Sequence, residues 1–243
     1  VWLEFAYMFA GGLTGRGRRG TLRAMSDFEL SELNAVEDVR ADAPSDAVST
    51  RGVLRTIGVV VFPLLMALSC QTQIWPWLAV PMKPLGVPMT LQTLWVLLAA
   101  LSIGPRFGMI SMAAYLVVGA IGVPVFSEGS SGLLTIFGQT GGYLVGFIAC
   151  QPVIAKIVRR PDGGVRGWGA MIAAVLAGHG VIFLIGVPWL FVVRAVDPGT
   201  AAITVGQAVH GGFVVFIPAM LLKSGMAVLI GRWAAPWASG NIW

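Results

Sequence analysis

Charge is what this chain has least of. Only 11% of its 243 residues are Asp, Glu, Lys or Arg, against about 25% in a typical soluble domain. So little polar surface cannot cover a water-soluble particle, and the mean hydropathy of +0.82 agrees. Acid is scarcer still. Of eleven Asp and Glu, eight (Glu4, Asp27, Glu29, Glu32, Glu37, Asp38, Asp42, Asp46) fall near the start of the chain. Two cysteines and two histidines offer no ligand spacing for a zinc site. Cys70 and Cys150 each lie in an apolar run, where a thiol serves as a small hydrophobe. The strict apolar–polar alternation of a membrane barrel is also missing. Nothing in the sequence asks for a metal or a cofactor.

What is present is a series of six uncharged runs, at 56–82, 84–105, 107–127, 129–155, 167–193 and 198–222. Each is long enough to cross a hydrocarbon core of about 30 Å as a helix of roughly 20 residues. The sequence therefore predicts an all-α, polytopic membrane protein with six transmembrane helices, near 53–74, 90–104, 106–122, 139–159, 168–193 and 205–232. Pro105 and Pro161 punctuate helix ends, and Pro63 is expected to kink the first helix. The 32 glycines suit close helix packing in lipid.

The basic residues set an orientation. Arg51, Arg55, Arg106, Lys156, Arg159, Arg160, Arg166 and Arg232 fall on one side of the predicted membrane, Lys83 and Arg194 on the other. The positive-inside rule then places both termini in the cytoplasm, in the plasma membrane of the cell. A net charge of +5 that flanks apolar runs is an orientation signal, so the expected surroundings are a lipid bilayer and not nucleic acid.

Two divisions follow. Residues 1–50 read as an acidic, flexible N-terminal extension, because 26–49 lack apolar periodicity. The apolar start precedes Arg16, Arg18, Arg19 and Arg23, the reverse of a secretory signal. With Met25 as a natural start, the first 24 residues read as an upstream extension or a short interfacial helix. Residues 51–243 read as a six-helix substrate-capture membrane domain. Two of its outer connections stand out. Residues 75–88 hold Pro76, Pro81, Pro84 and Pro88 beside Trp75 and Trp77. Residues 123–138, VPVFSEGSSGLLTIFG, are apolar and glycine-rich. Irregular backbone is not tolerated in lipid, so these segments predict a lidded pocket facing outward.

Lys223 is the single charge inside the apolar series, within FIPAMLLKSGMAVLIG. An intramembrane cation faces the bundle interior and marks function. Its partner is expected to be a ligand carboxylate or polar groups of other helices, and snorkelling to the interface is the alternative. His179 and His210 read as helix-to-helix hydrogen bonds. Thr90, Gln92 and Thr93, at the start of the second helix, can bond a ligand or neighbouring helices. Gly129-Ser130-Ser131-Gly132, with His210 on a later helix, matches the serine and base of an intramembrane serine protease, although this serine follows Glu128 in an outer loop.

The middle of the chain resembles a known family. VPMTLQTLWVLLAALSIGPRFG (87–108), AAYLVVGAIGVPVFSEGSSG (113–132) and GQTGGYLVGF (138–147), with LLMALSCQTQI before and FIPAMLLK after them, resemble the BioY family in the same order over about 55–232. The resemblance implies a biotin-capturing S-component of an energy-coupling-factor (ECF) transporter, with six helices and no redox or hydrolytic chemistry. It also implies an outward-facing site under the loop between helices 1 and 2, and a transmembrane T-component and two cytoplasmic ATPases as partners. The chain departs from the family pattern in three places. Ala219-Met220 replaces a frequent Gly-Asp, Gln139 replaces a common proline, and Pro63 to Ala67 keeps only the second small residue of the docking motif on helix 1. Another small carboxylated vitamin, taken by an S-component or a solitary transporter, is the alternative cargo.

Biotin offers an apolar bicycle, a ureido group and a carboxylate. A site for it needs apolar walls, a few aligned polar groups and a cation. Candidate walls are Trp75, Trp77, Trp95, Phe126 and Tyr143. Candidate polar groups are Gln92, Ser127, Glu128 and Gln139, and Lys223 is the candidate cation for the carboxylate.

Overall fold

The computed structural model describes residues 50–71 and 89–242, all within one unit of the chain that begins at Ser49. The expected N-terminal extension and the tryptophans Trp75 and Trp77 lie outside the described residues. The described residues are helical, with no strand beyond an isolated bridge between Arg159 and Val165. In chain order the helices are α1 (Thr50–Ser69), α2 (Gln92–Ser102), α3 (Gly104–Ala120), α4 (Leu133–Phe137), α5 (Gly141–Val158), α6 (Trp168–Val196), α7 (Val205–Gly212) and α8 (Ile217–Asn241). Among the described residues, four segments are long and apolar enough to cross a membrane: α1, α5, α6 and the α7–α8 stretch Val205–Asn241.

Helix limits follow local chemistry. Pro105 sits in the first turn of α3, where its missing N–H costs nothing. Gly104 before it has φ +81°, and an added Cβ there would strike the Arg159 side chain. Thr204 and Gln207 form a reciprocal capping box that starts α7.

Three expectations are corrected. The first helix ends at Ser69 and not near 74, where Cys70 and Gln71 turn to bond the 123–126 loop. The last helix is not continuous over 205–232. It breaks at Phe213 (φ −136°, ψ −60°), after two glycines of low helix propensity, and restarts at Ile217, with Pro218 in the first turn, before running on to Asn241. The 123–138 segment is not all irregular, since it holds a 3₁₀ turn, Ser127–Gly129, and the short α4.

Packing divides the helices into two kinds. In α2, eight of eleven residues are buried, so it is enclosed on all sides, as a helix that is apolar all round requires. In α1 only Gly58, Met66 and Ser69 are buried, and Ile57, Val60, Leu64 and Leu68 are exposed, a composition suited to lipid contact. Polar side chains join the helices. Gln151 of α5 donates to the Val96 carbonyl of α2 at 3.0 Å, and Ser111 of α3 donates to the Val59 carbonyl of α1 at 3.2 Å.

The tightest seam joins α5 and α6. An added Cβ at Gly146 would lie 2.8 Å from Ile182 Cα, and one at Gly142 would lie 2.9 Å from the Ile185 carbonyl oxygen. This small-xxx-small spacing lets the backbones touch. Gly146→Val is expected to destabilise the protein by about 1–3 kcal/mol through overpacking, read as a lower Tm in detergent.

Candidate functional site

A cavity of about 540 Å³ opens within the bundle, inside the range of about 300–1,000 Å³ common for small-molecule sites. Its walls come from five parts of the chain. The start of α2 supplies Met89, Thr90, Gln92 and Thr93. The 126–140 segment supplies Phe126, Ser127, Glu128, Ser130, Thr135, Gly138, Gln139 and Thr140. The rest are Tyr143, Leu144 and Phe147 from α5, His179, Ile182, Phe183, Val193 and Asp197 from α6 and its end, and Phe216, Met220 and Lys223 near and in α8. From Asp197 to His179 the cavity follows α6 for about 27 Å at 1.5 Å per residue. Its acids, Glu128 and Asp197, lie at the loop end, and its cation lies deep among the helices.

Lys223 is 7% exposed, and its Nζ donates to the Thr90 carbonyl oxygen at 3.1 Å. Thr90 precedes α2, so the helical ladder does not use that carbonyl. The same residue begins a chain of bonds toward the loop. Thr90 Oγ1 donates to Gln92 Oε1 at 2.9 Å, Gln92 Nε2 donates to the Tyr115 hydroxyl, and Tyr115 donates to the Val125 carbonyl at 2.8 Å. Cys70 Sγ also bonds Val125 O at 3.1 Å, Gln71 Nε2 donates to Pro124 O at 3.0 Å, and Glu128 N donates to Cys70 O at 3.2 Å. The loop over the cavity is thus pinned by α1 and α3. Glu128 itself has φ +60°, uncommon for a residue with a side chain, within a loop that turns sharply over the cavity.

Of the residues singled out in the sequence, Gln92, Phe126, Ser127, Glu128, Gln139, Tyr143 and Lys223 all line this one cavity. Gln92 braces the wall through Thr90 and Tyr115, bonds that use one of its two amide N–H groups. Trp95 packs against the core and does not line the cavity.

Sequence reasoning missed part of the lining. Phe147, Phe183 and Phe216 add aromatic walls, with Phe183 set edge-on to Tyr143 and Phe213. Their apolar surroundings in the sequence carry no signal that separates them from core. His179 does form the expected helix-to-helix bond, Nδ1 to Ser224 Oγ at 3.1 Å, and it also borders the cavity. Four lining side chains keep buried polar atoms without a hydrogen-bond partner among the described residues: Thr93 Oγ1, Ser127 Oγ, Gln139 Oε1 and His179 Nε2. Each such atom costs about 1–3 kcal/mol if left unpaired, so the cavity presents them to a polar occupant, water or ligand.

The residues of the protease pattern do not assemble. His210 is exposed on α7, and neither it nor Ser131, the serine of the G-x-S-G pattern, lines the cavity.

Comparison with known proteins gives a single direction. The model of the BioY family matches residues 43–239. The biotin transporter BioY of Thermotoga maritima is 35% identical over 155 residues, spanning 63% of this chain and 83% of that protein. The probable biotin transporter BioY of Pyrococcus horikoshii is 36% identical over 146 residues, spanning 60% and 79%. A crystal structure of the S-component for biotin from an ECF-type ABC transporter superposes with a TM-score of 0.62 at 22% identity, over 74% of this chain and 89% of its own. At that identity the superposition speaks for the fold.

Tyr115→Phe removes the hydroxyl that joins Gln92 to Val125. The expected result is a destabilisation of about 1–3 kcal/mol and faster hydrogen exchange over 123–132, with α5 and α6 unchanged, read by exchange mass spectrometry.

Proposed function

Because this chain belongs to the BioY family, we propose that it captures biotin in the cavity beneath the 123–138 loop, as the substrate-binding S-component of an ECF-type importer. BioY proteins are transporters and not enzymes. The observation that carries the site assignment is the convergence of an aromatic wall, four unpaired polar atoms and one deep cation on a single cavity.

The chemistry matches the cargo. Phe126, Tyr143 and Phe147 offer flat apolar surface for the fused rings. Ser127 and Gln139 offer hydrogen-bond groups, and Lys223 offers the charge for the carboxylate. One Lys223 N–H is held by Thr90 O, and an ammonium has three donors, so two remain for a ligand anion. The Phe126, Glu128 and Gln139 segment is the lid through which biotin enters.

The membrane arrangement is part of the same proposal. Six spans correspond to α1, α2, α3, α5, α6 and the α7–α8 stretch. α2 measures only about 16 Å at 1.5 Å per residue, and its irregular approach at Met89 and Thr90 lines the cavity, where non-helical backbone is tolerated. Arg55 Nε donates to Ile242 O at 2.7 Å, and Arg232 lies 5.6 Å over Trp168, while Arg159 reaches Gly104. The start of α1, the starts of α3 and α6 and the ends of α5 and α8 therefore share one basic end. That clustering supports cytoplasmic termini in a plasma membrane, with the acidic lid outside. A transmembrane T-component and two cytoplasmic ATPases would supply the energy for release inward.

Biotin titrated into purified protein should change the emission of its nine tryptophans and bind tightly. A carboxylated vitamin other than biotin that bound more tightly would replace biotin as the cargo. Lys223→Ala is expected to weaken biotin binding by about ten-fold or more, the loss of a hydrogen bond between charged groups. Biotin methyl ester should bind the wild-type protein more weakly than biotin, and equal affinity would remove the pairing of Lys223 with the carboxylate.

A further inference from the structure

His179 is the least explained polar group in the bundle. It is 1% exposed and lies on α6, with its ring stacked at 18° to that of Phe183 at a centroid distance of 6.4 Å. Its Nδ1 is 3.1 Å from Ser224 Oγ on α8, and its Nε2 is buried with no partner although the residue borders the cavity. Ser224 directly follows Lys223, so the tether places His179 beside the cationic end of the site.

A neutral imidazole has one N–H and one bare nitrogen. Among the described residues, the only hydrogen bond of the Ser224 hydroxyl is to His179 Nδ1. If the hydroxyl donates, both groups are satisfied there, Nδ1 accepts, and the ring proton sits on Nε2. The Val175 carbonyl, one turn back on α6, is also within reach of the ring, but a ring proton held on that side would leave the Ser224 hydroxyl proton without an acceptor among the described residues, at the usual cost of an unmade bond. A neutral ring also avoids placing a second cation beside Lys223.

We propose that His179 is a ligand-binding residue. Held by Ser224, it presents Nε2–H to the cavity as a second donor, beside Lys223, for an oxygen of the captured molecule. This rests on the reading of the cavity as a biotin site but not on which oxygen Lys223 takes. An ammonium and an imidazole N–H at one end both call for an oxygen acceptor. Biotin carries two candidates, the carboxylate and the ureido oxygen.

The test measures affinity for biotin, biotin methyl ester and 2-iminobiotin in purified wild-type protein, His179→Phe and Ser224→Ala. His179→Phe keeps the flat ring against Phe183 and removes the donor. It should weaken biotin binding by about ten-fold or more. Ser224→Ala, a mild change within a helix, should weaken it by a smaller factor, because the ring loses its tether. A His179→Phe loss that shrinks with the methyl ester assigns the carboxylate, and one that shrinks with 2-iminobiotin assigns the ureido oxygen. Wild-type affinity for biotin in Ser224→Ala, or in His179→Phe, overturns the proposal, as does an equal loss for all three ligands. Should His179→Phe fail to fold, the Ser224→Ala series decides the same question. Failure of the wild-type protein to bind biotin is a separate result and sinks the biotin reading itself.

Discussion

A single contact, the Lys223 ammonium on the Thr90 carbonyl, organises much of this bundle. A cation at the centre of a bilayer costs about 2.5–3.5 kcal/mol on insertion scales, and an unpaired one has no reason to stay. Here the answer comes from backbone dipole and not from an acid. Thr90 can provide it because α2 begins two residues later, at Gln92, so its carbonyl is free of the helical ladder. From that carbonyl the same residue reaches outward through its side chain to Gln92, Tyr115 and Val125. The depth of the site and the loop above it are therefore parts of one hydrogen-bonded assembly. Networks of this kind hold their geometry when every member is satisfied.

The cavity exists because other helices approach too closely to need filling. Gly142 and Gly146 bring α5 against α6, and Gly186 leaves room for the Tyr143 ring to lie on α6. That ring then points its hydroxyl to the Gly212 carbonyl at 2.9 Å, at the break between α7 and α8. The break has the same logic as the start of α2. A carbonyl released from a helix finds a side-chain donor, and the chain is redirected so that Phe216, Met220 and Lys223 meet the cavity. Close packing on one side and interrupted helices on the other together shape the space.

Much of this was legible in the sequence, for reasons specific to membranes. Uncharged runs long enough to span lipid report helices directly, and a lone Lys223 in such a run reports an interior polar site. The loop residues Phe126, Ser127 and Glu128 were legible as apolar irregular backbone that must cover something, and Gln139 only through family likeness. The break at Phe213 was not legible, because glycine pairs are common inside membrane helices and hydropathy runs through them unaltered. Nor was the bond from Gln92 to Tyr115, since an amide at a helix start reads the same whether it faces a ligand or braces a wall. Whether His179 borders a cavity depends on which face of α6 looks inward. A helix that is apolar on every side does not report its orientation in its periodicity.

Charge is also graded along the cavity. Among the described residues the acids lining it, Glu128 and Asp197, belong to the loop end, and none is bonded to Lys223. An internal acid beside the lysine would have neutralised it and left a ligand's charge with little to add. A carbonyl dipole stabilises the ammonium without cancelling it, so a negative or strongly polar ligand group still gains a full electrostatic partner in a site of low effective dielectric. A cavity with its cation deep, its acids shallow and its walls aromatic is polarised along its length. Such a gradient favours one orientation of a charged molecule over the reverse.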